Sequence, residues 1–363
     1  MSREELLDFL GKVTDPMTGQ NLVLANRIHD IKIEERNITI ALAFPPKLDG
    51  NVKSEINFSI QEAFNSFAPG YNLNLHFANQ EPEKRKSSTL PQIKNIIAVA
   101  SGKGGVGKST VSVNLALGLK NAGLRVGILD ADLYGPSIPI MLGLQGKRPK
   151  VEQVYGVNKI IPLMAYGLPV MSIGFVVEPE QAVVLRGPRL AGVMKQFLEE
   201  CLWPELDILV IDLPPGTGDI QLTLVQTVAV TGAIIVTTPQ EVAIADAIKA
   251  ANMFQMDGIG VPLLGIVENM SWFTPVELKS HRYEIFGKGG GQKLASLYHT
   301  NLLGQIPLVM SVREGGDTGK PIALNDDREE ITEQFKILTK NVMDALNHRN
   351  EKLAPTQKVM VQS

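Results

Sequence analysis

Gly102-Lys103-Gly104-Gly105-Val106-Gly107-Lys108-Ser109-Thr110 is the stretch on which the reading of this chain turns. Its spacing is Gly-x4-Gly-Lys-Ser. It stands between an apolar run, Ile96-Ile-Ala-Val-Ala100, and a segment whose Val111, Val113, Leu115 and Leu119 suit a buried helix. Glycines let a backbone curl so that successive N–H groups face one anion, and a helix that starts there adds the positive end of its dipole. Strand, glycine loop and helix in that order predict a phosphate cradle. Lys108 is placed to reach β- and γ-phosphates, the Ser109 hydroxyl to ligate Mg2+, and Thr110 to touch an α-phosphate. ATP with Mg2+ is the ligand expected.

Outward from the loop, short apolar runs alternate with helical stretches. Asn95–Ala100, Val126–Asp130, Ile208–Asp212, Ala233–Thr238 and Leu263–Val267 are candidate buried strands. Ser109–Ala122, Ala191–Cys201 and Ala243–Asp257 are the helices between them, and Arg328 to Glu351 carries a helical apolar stripe. Buried strands separated by helices predict an α/β domain with a doubly wound, mostly parallel sheet, over residues 93–352. Residues 1–80 read differently, as a small α+β domain. There Ser2 to Val13 and Val52 to Phe67 are helix-like, Ile31 to Phe44 alternates as a strand pair would, and Leu73 to Phe77 alternates again. Asp15-Pro16 marks a turn. Residues 81–92, rich in charge, Ser and Pro, form a linker, and 353–363 a flexible tail.

Two further strand ends bring carboxylates to the edge where ligands of open α/β sheets sit. Ile128-Leu129-Asp130-Ala131-Asp132 supplies Asp132 to orient an attacking water and Asp130 to support Mg2+ or the glycine loop. Leu209-Val210-Ile211-Asp212 supplies Asp212 to hold a metal-bound water. The competing reading is that Asp132 and Asp212 cap the helices that follow. Asp207 is expected ahead of its strand, as a turn or cap residue. Directly after Asp212 comes Pro214-Pro215-Gly216-Thr217-Gly218-Asp219, a loop able to swing in response to a γ-phosphate; Pro215, Gly216, Gly218 and Asp219 are its switch positions.

Composition bounds the remaining choices. The 363 residues are 44% hydrophobic and 20% charged, enough for a core of ordinary size and against disorder or a fibrous repeat. A net charge of −3 argues against binding nucleic acid through a basic surface. The acidic N-terminus does not suit a signal peptide, and no apolar run approaches the roughly 20 residues that span a bilayer. Cys201 is the one cysteine, so no intrachain disulfide forms. A cytoplasmic location is the default that follows.

Taken together, Ser101 to Thr110, Asp130-Ala-Asp-Leu-Tyr-Gly-Pro-Ser137, Arg186-Gly-Pro188, Asp212-Leu-Pro-Pro-Gly-Thr-Gly-Asp219, Glu268-Asn-Met-Ser271 and Ile285-Phe-Gly287 resemble the Mrp-type iron–sulfur cluster carrier ATPases. These are P-loop proteins with a deviant Walker A motif, and MinD, ParA and the nitrogenase iron proteins are their wider relatives. The likeness spans roughly residues 90–345, while residues 1–80 resemble the small iron–sulfur-assembly domain often fused ahead of such ATPases. The resemblance implies a homodimer that hydrolyses ATP, holds a [4Fe–4S] cluster between its subunits and passes it to apo-proteins, working with assembly factors. It implies that Lys103 reaches the partner subunit's nucleotide, the alternative being a solvated loop lysine. It also implies that Asn269 reads the adenine edge, the alternative being an ordinary turn residue.

The chain departs from that family at the cargo site. The expected Cys-x-x-Cys falls at about Pro275 and Leu278, which cannot ligate iron, and Ala43-Phe44-Pro45-Pro46 holds no cysteine either. No iron–sulfur ligands are evident. Cys201 reads as a buried core residue, and Glu277 with His281 offers harder ligands as a minor alternative. Three functions stay open: cluster transfer with ligands supplied by partners, a cluster-free ATP-driven dimer switch or adaptor, and a MinD- or ParA-like positioning ATPase. The third fits least, because His348 to Pro355 lacks the amphipathic pattern of a membrane-targeting helix and no stable membrane association is expected.

Overall fold

The structure is a computed structural model. It describes residues 3–13, 21–23, 27–34, 36–44, 50–79, 90–132, 135–154, 156–176, 187–256, 258–275, 277–278, 280–325 and 330–353. Asp15-Pro16, Pro45-Pro46, the linker up to Thr89, Arg186 and the tail from Ala354 lie outside these residues. The chain divides into two units, Met1–Lys86 and Ser87–Ser363.

The first unit runs α1 (Arg3–Leu10), β1 (Ile28–Glu34), β2 (Asn37–Phe44), α2 (Gly50–Phe67) and β3 (Asn72–Asn79). β1 and β2 form the expected antiparallel pair, and β3 joins β2 in parallel. A parallel neighbour needs a crossover, and α2 is that crossover. Its Ile56, Ile60 and Phe64 recur every fourth residue and are buried with Leu6, Leu10, Ile38, Ile40 and Leu42. Phe9 meets Phe64 edge-on, with ring centres 5.6 Å apart, and stacks on Phe67 at 4.9 Å.

The second unit begins β4 (Ile93–Ala100), α3 (Lys108–Asn121), β5 (Val126–Asp130), α4 (Ile138–Met141), β6 (Lys150–Val154), β7 (Val157–Ile161), β8 (Leu163–Ala165) and β9 (Leu168–Ser172). It continues α5 (Gly187–Glu199), β10 (Leu206–Asp212), α6 (Asp219–Thr227), β11 (Gly232–Thr237), α7 (Glu241–Gln255), β12 (Leu263–Asn269), α8 (Gly290–Leu297), β13 (Leu302–Ile306), α9 (Met310–Asp317) and α10 (Glu330–Lys352). Eight strands make one sheet in the order β13-β12-β11-β4-β10-β5-β9-β8. All pairings are parallel except the β8–β9 hairpin at one edge. β4, β5, β10 and β11 are buried almost throughout, as strands covered on both faces must be. α10 turns Ile331, Phe335, Leu338, Val342 and Leu346 inward and packs on β13 and α3.

Three local expectations are corrected. The helix expected to reach Cys201 ends at Glu199; Cys201 instead bridges Ile160, and the Trp203 indole N–H donates to Phe197 O. Asp207 lies inside β10 rather than ahead of it. The Arg125 guanidinium donates to its carboxylate from Nε at 3.2 Å, Lys94 pairs with it at 2.8 Å and the Arg125 backbone N–H adds a bond of 2.9 Å, and together these hold its pKa well below the ordinary carboxylate range. The sheet also extends past the candidate strands, through β8, β9 and β13. β8 and β9 are short and joined by the two-residue turn Tyr166-Gly167, and β13 is interrupted by Gly304 and Gln305, so none forms a long apolar run.

Candidate nucleotide-binding site

The glycine loop lies where β4 gives way to α3, in the middle of the sheet. Lys108 is the first helical residue, and Gly107 before it takes a left-handed conformation with φ 79°. Only a residue without Cβ suits that place twice over, because a Cβ there would also overlap the Asn269 side-chain amide. The cradle therefore opens on the N-terminus of a 14-residue helix, where the backbone favours an anion.

Asp212, fully buried at the end of β10, is the hub of the polar cluster below the loop. One oxygen accepts from Lys108 Nζ at 2.8 Å and from Ser109 Oγ at 2.6 Å; the other accepts from Ser112 Oγ at 2.6 Å. Asp132 Oδ2 stands 3.5 Å from the same Lys108 nitrogen. Burial works against the charge of Lys108, but Asp212 and then Asp132 outweigh it and raise its pKa, so the lysine is a firm cation. Asp130, in register with Asp212 on the adjacent strand, has both oxygens engaged, by Ser172 Oγ at 2.9 Å and by the Asp132 N–H at 3.1 Å. Neither Asp132 nor Asp212 caps a helix: the next helices start after Ser137 and Gly218.

Hard oxygen donors at the mouth of a phosphate cradle suit a small divalent ion that keeps several waters and phosphate oxygens. Ser109 Oγ and Asp212 Oδ2 meet that requirement for Mg2+. Thr110 sits one residue further along α3, half-buried. Among the described residues no ion pair or hydrogen bond engages the side chain of Lys103, which is half-buried; Gly104 and Gly105 beside it are exposed. Asn269, at the end of β12, donates from Nδ2 to Val106 O at 2.8 Å and so braces the loop directly.

The switch residues follow β10. Gly216 N donates to Ser101 O at 2.8 Å, tying their loop to the start of the cradle, and Asp219 opens α6. Four groups that sequence reasoning passed over complete the site: Ser112, Ser172, Gln221 and Glu268. Glu268 lay inside a quoted motif without a role. It is buried, and it accepts from the Gly291 N–H at 2.6 Å and from Gln305 Nε2 at 2.7 Å. Ser112 had one faint signal, a hydroxyl four residues after Lys108 on an otherwise apolar helix.

The place of the missing cysteines is also visible. Phe273 and Tyr283 exchange backbone hydrogen bonds and close a turn that carries Pro275, half-buried, and Leu278, exposed. Arg282 stacks over the Trp272 ring at 4.6 Å. Among the described residues no group of three or more His, Cys, Asp or Glu is placed to hold a metal, so Glu277 and His281 gather no further ligand. Burial pushes the Cys201 thiol up to about 12, only partly offset by Lys159.

A parallel sheet with a glycine-rich strand-to-helix loop, its lysine and serine on a buried aspartate, defines a nucleotide-binding P-loop NTPase. The chain belongs to the family described as NUBPL iron-transfer P-loop NTPases, whose model matches residues 92–343. Residues 3–68 match the iron–sulfur cluster assembly protein family. An iron–sulfur cluster carrier protein of Synechocystis is 39% identical over 345 residues, which cover 94% of this chain and 97% of that one. Its Escherichia coli counterpart is 42% identical over 348 residues, covering 94% and 92%. Among solved structures, a nucleotide-binding protein from Archaeoglobus fulgidus in complex with ADP superposes with a TM-score of 0.58 at 38% identity, covering 68% of this chain and 94% of that one. The cell-division ATPase MinD of Pyrococcus furiosus shares the fold, with a TM-score of 0.51 at 22% identity, covering 69% and 99%. No helix of the described residues is long and apolar enough to cross a membrane.

Proposed function

We propose that this chain is an ATP-hydrolysing, Mg2+-dependent homodimer that serves iron–sulfur cluster assembly as a transfer factor for apo-proteins. One observation carries the nucleotide half of the reading: Lys108, Ser109 and Ser112 converge on the buried carboxylate of Asp212 beneath a glycine loop at a helix N-terminus. The transfer half is supported by the family match at both ends of the chain and by relatives named as cluster carriers over nearly their whole length.

In the proposed reaction the loop N–H groups and Lys108 bind the β- and γ-phosphates, and Ser109 and Asp212 hold Mg2+, Asp212 through a water. Mg2+, when bound, offsets phosphate charge. Asp132 orients the water that attacks the γ-phosphate, while Asp130, tied to the Asp132 backbone, supports it. Asn269 reads the adenine edge, and Lys103 reaches the partner subunit's nucleotide from its exposed turn. Since soft thiolates are what a cluster needs and the sole cysteine is buried as an un-ionised thiol, the cargo's ligands come from outside this chain, from clients or assembly factors. The same observation favours a second reading, an ATP-driven dimer switch with no cargo of its own. A cytoplasmic site of action, with no nucleic-acid partner, goes with either.

ATP turnover, ATP affinity and sedimentation of the wild type, Lys108→Ala, Asp132→Ala and Lys103→Ala test the site together. Lys108→Ala is expected to lose both binding and turnover, and Asp132→Ala to lose turnover while still binding ATP. Lys103→Ala is expected to lose turnover and ATP-linked dimerisation more than affinity. Equal turnover in all four proteins would remove the assignment.

A further inference from the structure

The loop Pro214–Gly218 is held from two sides. Gly216 N donates to Ser101 O at 2.8 Å, and Ser101 Oγ donates to Lys103 O at 3.0 Å, so the loop is fastened to the first turn of the phosphate cradle. From below, Gln221 spends its side-chain N–H groups on Pro214 O at 2.9 Å and Gly216 O at 3.0 Å. Gln221 is 1% exposed, and its Oε1 is buried with no hydrogen-bond donor. A buried carbonyl without a donor is costly, and each such group in a native fold calls for a physical reason.

The position of Gln221 offers its Oε1 a candidate donor. It is the third residue of α6, whose N-cap, Gly218, is extended and has no side-chain cap. A Gln at that place in a helix ordinarily turns its carbonyl back to the N-cap N–H, the reciprocal half of a capping box. Here the amide is diverted to the loop carbonyls instead. Gly218 stays within reach, since a Cβ built on it would lie 3.8 Å from Gln221 Oε1. The side chain thus has two alternative sets of partners, the loop or the helix end.

We propose that Gln221 is a positioning residue, a latch that holds the Pro214–Gly218 loop on the phosphate cradle until a γ-phosphate engages the loop, and that then exchanges its bonds to Pro214 and Gly216 for one to the Gly218 N–H. The proposal rests on the nucleotide reading given above. It makes the loop a two-state element whose balance one side chain sets, and a ligand that prefers the released state binds more tightly when the latch is weakened.

Two variants separate the halves of the device. Gln221→Glu removes the donors to the loop and keeps the acceptor for Gly218; Gln221→Met removes both at similar volume. Affinities for ADP and for a non-hydrolysable ATP analogue are measured with Mg2+ on the full chain, together with amide hydrogen exchange at Gly216 without nucleotide. The expected result is a shift of the affinity ratio toward the ATP analogue by about fivefold or more in Gln221→Glu, the lower end of ordinary coupling between sites, and a smaller shift in Gln221→Met. Faster exchange at Gly216 is expected in both. A residue that merely fills space would move neither the ratio nor its order between the variants, and an unchanged ratio with unchanged exchange overturns the latch. If Lys108→Ala binds nucleotide as tightly as the wild type, the nucleotide reading fails instead, and exchange at Gly216 still decides the latch.

Discussion

Asp130 is completely buried beside Asp212, and burial, followed by the charge of Asp212, raises its pKa from 3.8 to about 8. Burial thus favours the protonated carboxyl over the charged one in the metal-free protein, with Lys108 set against Asp212 and Asp132. The sign of the effect on stability follows from linkage. Below pH 4 both folded and unfolded chains keep this proton. Above it the unfolded chain releases the proton while the folded one holds it, so stability falls as pH rises from 3.8 to about 8 and levels beyond. Asp130→Asn, which mimics the protonated acid, is expected to flatten that slope; urea unfolding at pH 5 and 8 in chelator measures it, and parallel profiles would refute it. At this scale the sequence showed Lys108, Ser109 and Asp212, because phosphate chemistry demands those types at those spacings. Ser172 and Gln221 stayed hidden, since a Ser at a strand end or a Gln in a first helical turn has many ordinary uses.

The α8 end shows how one element is fastened to another. Its N-cap, Gly289, offers no side chain, and the cap comes instead from Glu268 at the end of β12, through the Gly291 N–H. That contact needs Gly291 bare: a Cβ there would lie 2.7 Å from the Glu268 Cβ and 3.1 Å from its Oε2. Asn269, the next residue on β12, reaches the other way to the phosphate cradle, so one strand end anchors both. Gly291→Ala is expected to cost about 1–3 kcal/mol, as overpacking of a close contact does. A urea midpoint equal to that of the wild type would show that the contact relaxes freely. Elements with strong periodicity were legible, Val126–Asp130 to the residue, and the helices after the cradle and at the C-terminus within two residues. β8, β9 and β13 were not, because β8 has only three residues while Pro169 in β9 and Gly304-Gln305 in β13 interrupt the apolar run.

Over the whole chain, the cargo question reduces to sulfur. A cluster bridging two copies needs thiolates that are ionised and reachable, and Cys201 is neither. Anaerobic reconstitution of the purified chain with iron and sulfide is expected to leave well under stoichiometric iron, in the wild type and in Cys201→Ala alike. A stable stoichiometric cluster would overturn the proposal that ligands come from clients. Loss of such a cluster in Cys201→Ala would place it there.

The sequence by itself determined the glycine-rich loop between strand and helix, the alternation of buried strands and helices, and the count of a single cysteine, since each follows from residue type and spacing along the chain. Tertiary structure alone decided that Asp212 gathers Lys108, Ser109 and Ser112, that Asn269 braces Val106, and that Gln221 and Glu268 fasten loop and helix to the sheet. Those partners lie up to 163 positions apart. Parallel strands reached by crossovers bring them together, and no local pattern records which strand ends will be neighbours.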